Sequence, residues 1–164
     1  FCQGLNLNDS IETFDERAFT EVFNANVTFI LRLTNLLLSA NRLEDGASIV
    51  IVSSVWQNIA RKNKLSYGVS KSAIKGLVYS MTADLGAKNI RVNAILPGPI
   101  ENKMTLQNLT AAQISTMQQA SPYKKLVTVS EVINVVKFLV SEASEGVTGS
   151  FIKMDKGISI VKQI

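Results

Sequence analysis

Histidine is absent from this 164-residue sequence, and cysteine occurs once, as Cys2. The first absence removes a Ser-His-Asp hydrolase, a Cys-His protease and any His-bearing zinc site. One thiol can build neither a thiolate zinc site nor an internal disulfide, so no metal is expected. A lone cysteine also fits a reducing cytoplasm, which is the expected compartment. Any general acid or base must therefore be Tyr, Lys, Asp or Glu. Long apolar runs are scarce. Stretches such as "SIVIV" are far too short to cross a bilayer, no signal peptide is visible, and no membrane partner is expected. Charge of one sign is scarce as well: 17 basic and 13 acidic residues leave a net +4. Arg61, Lys62 and Lys64 cluster, as do Lys124 and Lys125, but no aromatic residues interleave them as a base-stacking platform requires. Solvated loops are the better reading of these clusters, and no nucleic-acid partner is expected.

What is present reads as a globular α/β chain, 46% apolar and 18% charged. "TFDE" (Thr13 to Glu16) has the form of a capping box ahead of a long apolar helix ending near Asn41. "ASIVIVSS" (Ala47 to Ser54) is a continuous β-branched run, the pattern of a strand buried on both faces. The chain then predicts a loop over Val55 to Leu65 and a helix from Ser66 to Leu85, with Gly86 as its stop. A second buried strand, "IRVNAIL" (Ile90 to Leu96), is broken at once by "PGP". Polar sequence with a weak helical pattern runs to about Ala120. A second capping box, "TVSE" (Thr128 to Glu131), opens a helix through Val140, and "GSFIKM" (Gly149 to Met154) reads as a last strand. Strands alternating with helices predict a doubly wound α/β parallel sheet in one domain, residues 1–164. The Gly-rich turn that normally opens a dinucleotide-binding sheet is not among the nine glycines.

The residues that carry chemistry lie in "SSVWQNIARKNKLSYGVSK" (Ser53 to Lys71). Tyr67 and Lys71 are four apart, so on a helix they share a face. Free tyrosine is a poor acid at neutral pH, and an ammonium within reach would bring its pKa down. Ser54, at the carboxyl end of a buried strand, lies where open α/β sheets bind ligands. Each feature alone is commonplace. A Tyr-Lys pair recurs on ordinary helices, and Asn26 inside an apolar helix equally reads as a satisfied core amide. The joint spacing on the right elements is what points to proton transfer at a carbonyl.

These motifs together resemble the classical short-chain dehydrogenase/reductase family, most closely its 3-oxoacyl-[acyl-carrier-protein] reductase-like members. The resemblance covers essentially the whole chain. The family's serine, thirteen positions before its tyrosine, matches Ser54, and its Tyr-x-x-x-Lys matches Tyr67 and Lys71. The helix asparagine matches Asn26 in "VFNANV". "IRVNAILPGPI" is similar to the family's strand ahead of the nicotinamide pocket, and "SEASEGVTGSFIKMDKG" to its closing segment. "FCQG" stands where the family has Asn-Asn-Ala-Gly, with only Gly4 retained. The chain thus resembles the C-terminal two thirds of a Rossmann domain, lacking the Gly-rich N-terminal half.

The resemblance implies an NAD(P)-dependent oxidoreductase, with NADP the expected cofactor and NAD the alternative. It would reduce a ketone or 3-oxoacyl thioester, as in fatty acid biosynthesis. A sugar, steroid or small secondary alcohol is the alternative substrate, and an inactive interaction module the alternative role. Asn26, Ser54, Tyr67 and Lys71 are then the expected catalytic residues. Tyr67 would be the acid, Lys71 would bind ribose and lower the Tyr67 pKa, and Asn26 would hold a relay water. Gly4, Pro97, Gly98, Ile100 and Asn102, with Tyr67 and Lys71, are the expected cofactor contacts. Asn102 stands where the family carries threonine. Trp56 and Met104 are expected to face the substrate, although Trp56 also reads as a loop anchor. The stretch Met104 to Ser121 corresponds to the family's lid. Implied partners are a small-molecule or carrier-bound substrate and further copies of the chain, as a tetramer or dimer paired through the two long helices.

Overall fold

The computed structural model describes residues 1–102, 105 and 109–161. Helix α1 (Glu16–Phe23) runs through a π turn (Asn24–Thr28) into α2 (Phe29–Ser39), followed by β1 (Ser48–Val52), α3 (Leu65–Leu85) and β2 (Arg91–Pro97). After β2 come β3 (Ile100–Glu101), α4 (Ala111–Gln119), β4 (Val127–Thr128), α5 (Val129–Val140) and β5 (Phe151–Met154). The main sheet is parallel in the order β1-β2-β5, with Val50 opposite Asn93 and Ala94 opposite Phe151.

The β-branched runs explain the layering. Along β1, Ile49 and Ile51 face the cluster that holds Val27, Ile30, Ile74 and Val78, while Val50 joins Ile95 and Leu139 on the other side. Successive side chains of a strand point to opposite faces, so a strand apolar at every position needs helices on both. Helices α2 and α3 cover one face and α5 the other. In α3 the buried residues Ile74, Leu77, Val78, Met81 and Leu85 recur at helical spacing, which fixes the face it turns to the sheet. Fully burying each such side chain contributes roughly 1.5–3 kcal/mol. Asn93, buried at the centre of β2, donates to the Val147 carbonyl (2.7 Å) and accepts from the Ser150 amide (3.0 Å). It thereby ties the approach to β5 to the sheet.

Three local expectations are corrected. Thr13 does not cap the first helix: it closes a short turn with Ser10, and Asp15 is the N-cap, accepting from the Ala18 amide at 2.7 Å. An aspartate beside the helix start outcompetes a threonine two residues earlier. Gly86 stops α3 as expected, standing as its C-cap after Leu85. It sits in right-handed backbone and opens a 3-10 turn, and the left-handed residue is Asn89 (φ 55°). Asparagine tolerates this conformation through its short polar side chain. Pro97 does not end β2 outside the sheet but is its last residue, opposite Met154. Standing at the strand end, it needs no amide for the ladder. The segment after it also contributes β3, paired with β4 in a separate two-stranded parallel sheet.

The second capping box forms as expected, with Thr128 and Glu131 exchanging bonds of 2.7 and 3.2 Å. Among the described residues one helical stretch, Glu16–Ser39, is long and apolar enough to cross a membrane, with a mean hydropathy of 1.2. In this fold its Val22, Val27 and Ile30 are buried within the protein.

Candidate active site

The site is assembled at the carboxyl ends of β1 and β2 around the first turns of α3. That helix begins on a buried carboxylate. Asp9 accepts from the Ser66 amide at 3.1 Å through Oδ1 and also from the Ser66 hydroxyl, and its own carbonyl accepts from the Leu65 amide at 3.2 Å. An anion at a helix N-terminus satisfies free amides and complements the dipole. Asp9 therefore sets where Tyr67, one residue further on, emerges. Nothing in "LNDS" marked it, because its partner is 57 residues away.

The four expected catalytic residues are brought together. Lys71 is buried, and its ammonium lies 5.6 Å from the centroid of the Tyr67 ring while donating to the Val52 carbonyl at 3.1 Å. The Ser54 hydroxyl lies near enough to the Tyr67 phenol to favour its ionised form. Ser53, the neighbouring serine, is spent on Gln57 Oε1 at 2.8 Å, which leaves Ser54 as the hydroxyl facing the tyrosine. Asn26 sits in the π turn, a local widening that recurs at functional sites. Its amide donates to the Leu5 carbonyl (2.9 Å) and to Ser70 Oγ (2.8 Å), and its Oδ1 accepts from the Leu5 amide at 2.7 Å. Ser70, missed in the sequence, passes this link to the Tyr67 carbonyl at 2.8 Å. Its signal would have been its place one helical turn after the tyrosine.

Burial dominates the electrostatics of this centre. Burial pushes the Tyr67 phenol up, and the neighbouring Ser54 hydroxyl offsets part of that rise. The Lys71 ammonium stands 5.6 Å from the ring centroid, and burial outweighs the other influences on the phenol. Burial also brings Lys71 itself down to about 8, against a smaller opposing pull from Cys2. Among the described residues no carboxylate pairs with this buried ammonium.

The remaining expected contacts fall around this centre. Gly4 is close to the tetrad: a Cβ on it would lie 3.4 Å from Asn26 Oδ1 and 3.7 Å from Lys71 Nζ. Pro97 closes β2, and Gly98 follows it, its amide bonded to the Met154 carbonyl at 3.0 Å. Ile100 pairs with Val127 in the small sheet. The Asn102 side-chain oxygen accepts from the Thr105 amide at 2.8 Å, which leaves its NH₂ group and one Oδ1 lone pair to offer. Trp56 donates its amide to Ser54 Oγ at 3.3 Å and lines a cavity of about 380 Å³ with Pro99, Met117 and Ile158. Met104 lies outside the described residues. Within the expected lid, Ala111–Gln119 is helical, capped by Thr110 and Gln113.

A nicotinamide ribose fits this centre. Lys71 spends one donor on Val52 and keeps two, and the space left by the missing Gly4 side chain adjoins it. The Gly-rich turn for the pyrophosphate is not among the described residues.

Comparison with known proteins agrees with the geometry. A family model described as enoyl-(acyl carrier protein) reductase matches residues 2–159. The chain is 34% identical over 153 residues to a 7alpha-hydroxysteroid dehydrogenase of Bacteroides fragilis, covering 92% of this chain and 58% of that protein. It is 32% identical over 145 residues to the 3-oxoacyl-[acyl-carrier-protein] reductase FabG of Thermotoga maritima, covering 88% and 58%. It thus spans less than two thirds of the length of these relatives. Among solved structures, a short chain dehydrogenase family protein from Francisella tularensis superposes with a TM-score of 0.88 at 27% identity, over 97% of this chain and 69% of the other. The angucycline C-6 ketoreductase LanV with bound NADP gives 0.87 at 26% identity, over 96% and 60%. The matched motifs, the parallel sheet and these relatives place the chain in the classical short-chain dehydrogenase/reductase family.

Proposed function

We propose that this chain carries the proton-transfer centre of a nicotinamide-dependent reductase of a ketone or 3-oxoacyl thioester. The reading rests on the contact between the Tyr67 and Ser54 hydroxyls beside the buried Lys71 ammonium, at the carboxyl end of β1. In reduction, the Tyr67 O–H donates its proton to the carbonyl oxygen, while the Ser54 O–H donates a hydrogen bond to that oxygen. Burial keeps the phenol protonated at neutral pH, the form a general acid requires. With its pKa near 8, Lys71 is largely charged at pH 7 and stabilises the phenolate left after transfer. Its two remaining donors suit the hydroxyls of a ribose. The cofactor is NADP, with NAD the alternative, and when bound it supplies the hydride. Gly4, Pro97, Gly98, Ile100 and Asn102 border it, and Trp56 walls the substrate. Asn26 holds the π turn and offers its remaining Oδ1 lone pair to a relay water.

Residues 1–164 act in this reading as one domain, the C-terminal two thirds of a Rossmann unit in the cytoplasm. The half-exposed Phe29, Leu36 and Tyr79 on α2 and α3 support pairing of these helices between copies. The 34% identity to a hydroxysteroid dehydrogenase favours a second substrate reading, oxidation of a steroid alcohol by the same residues in reverse.

The test is turnover of Tyr67→Phe in the complete enzyme alongside NADPH binding. Loss of an essential acid lowers turnover about 10²–10⁴-fold with binding retained. Turnover within a few-fold of the parent rejects Tyr67 as the acid.

A further inference from the structure

Trp56 separates two cavities. One, of about 770 Å³, runs along the start of α3, and the other is the 380 Å³ space against α4. The smaller has the size of a small-molecule site, with a mostly apolar lining that includes Trp56, Pro99, Met117 and Ile158. Its tie to the proton-transfer centre is short, because the Trp56 amide donates to Ser54 Oγ at 3.3 Å. One charged side chain lines it among the described residues, and that is Arg61. The Arg61 guanidinium lies 5.6 Å from the Trp56 ring centroid. At that distance the cation is attracted to the ring face, which leaves its N–H groups available.

The guanidinium is also electrically unbalanced. Arg61, Lys62 and Lys64 fall within four residues, and none of them is in a salt bridge among the described residues. Lys64 is held below its ordinary value, first by burial and then by the charge of Arg61, with Asp9 pulling the other way. Arg61 also lines the larger cavity, together with Asp9 and Glu12, whereas no carboxylate lines the smaller one among the described residues, and Asp9 is occupied at the start of α3. A cation stacked at the edge of an apolar cavity, with no carboxylate in the wall, is built to meet an anion from outside the protein. A planar guanidinium matches carboxylate and phosphate oxygens in pairs.

We propose that Arg61 determines specificity at this site: it binds an anionic group, carboxylate or phosphate, on a substrate whose apolar body fills the cavity between Trp56 and α4. The proposal builds on the reductase reading and narrows its substrate class. Neutral sugars and small uncharged alcohols are disfavoured, and amphipathic anions are preferred.

Trp56 is the single tryptophan of the chain, so its fluorescence reports occupancy of the cavities it lines without turnover, and the Arg61 and Lys62 variants tell the two apart, since Lys62 lines only the larger. Three probes share one apolar body: decanoate, decyl phosphate and uncharged decanol. The expected result is that at least one anion binds about tenfold or more tightly than decanol, and that Arg61→Gln brings it to the decanol value. Lys62→Gln removes the same charge from a side chain that does not line this cavity, and it should keep the preference. A preference for decanoate points to free acids, and one for decyl phosphate to a phosphate-bearing carrier arm. Equal binding of all three probes overturns the proposal, as does equal loss in Arg61→Gln and Lys62→Gln, which would show only general attraction. Because the readout is binding, it stands or falls separately from the Tyr67→Phe turnover test.

Discussion

Asn26 and Leu5 exchange two hydrogen bonds, amide to side-chain oxygen at 2.7 Å and side-chain NH₂ to carbonyl at 2.9 Å. The side chain thus acts as a strand partner for one residue of the segment leading to the site. The π turn is what aims it there, since an unbroken α-helix would carry residue 26 round by a different angle.

Asn26→Ala is expected to cost about 1–3 kcal/mol, because the part-buried Leu5 amide and carbonyl and the buried Ser70 Oγ all lose a partner. Urea unfolding measures it. A loss below about 0.5 kcal/mol would show that water replaces the amide without penalty and that Asn26 does not hold the turn.

Asp9→Ala should weaken the start of α3 by about 1–3 kcal/mol, more than a typical exposed cap, since the carboxylate is buried and serves both groups of Ser66. Asp9→Asn keeps one acceptor oxygen and should recover part of the loss. Equal thermal midpoints for all three proteins would remove Asp9 as the residue that positions Tyr67.

The pH dependence follows from Lys71. Its pKa is about 8 in the folded chain and has its ordinary, higher value when unfolded. Between these values the unfolded chain binds more protons, so stability rises with pH across that window. Below about pH 8 both states are protonated and the burial penalty is constant. Relative to Lys71→Met, the parent should gain about 2 kcal/mol between pH 7.5 and 9.5. Parallel stability curves for the two proteins would mean that the ammonium is not desolvated.

Gly98 adjoins the turn after β5. A Cβ there would lie 2.9 Å from Asp155 Cβ and 3.1 Å from Asp155 Cα, and the Asp155 side chain itself holds the Gly157 and Ser159 amides. Gly98→Ala therefore meets backbone that cannot yield cheaply, and it should cost about 1–3 kcal/mol. Gly146→Ala, with nothing within 4 Å of its added Cβ, is the control expected to stay within about 0.5 kcal/mol. Equal effects at the two positions would show that the turn gives way.

The sequence by itself determined the layered parallel sheet and the Tyr67-Lys71 pair, because both rest on local periodicity. Continuous β-branched runs admit helices on both faces, and a four-residue spacing on a helix fixes a shared side. The family motifs added Ser54 and Asn26, whose meaning lies in joint spacing rather than in either residue alone. Tertiary structure decided what depends on partners distant in sequence. Asp9 is an ordinary loop residue until folding sets it under Ser66. Ser70 is one more helix serine until Asn26 reaches it from 44 residues away. The sense of the pKa shifts was also beyond the sequence. Spacing places Lys71 near Tyr67, but only packing sets the ammonium over the ring and buries both groups, so that desolvation outweighs their attraction.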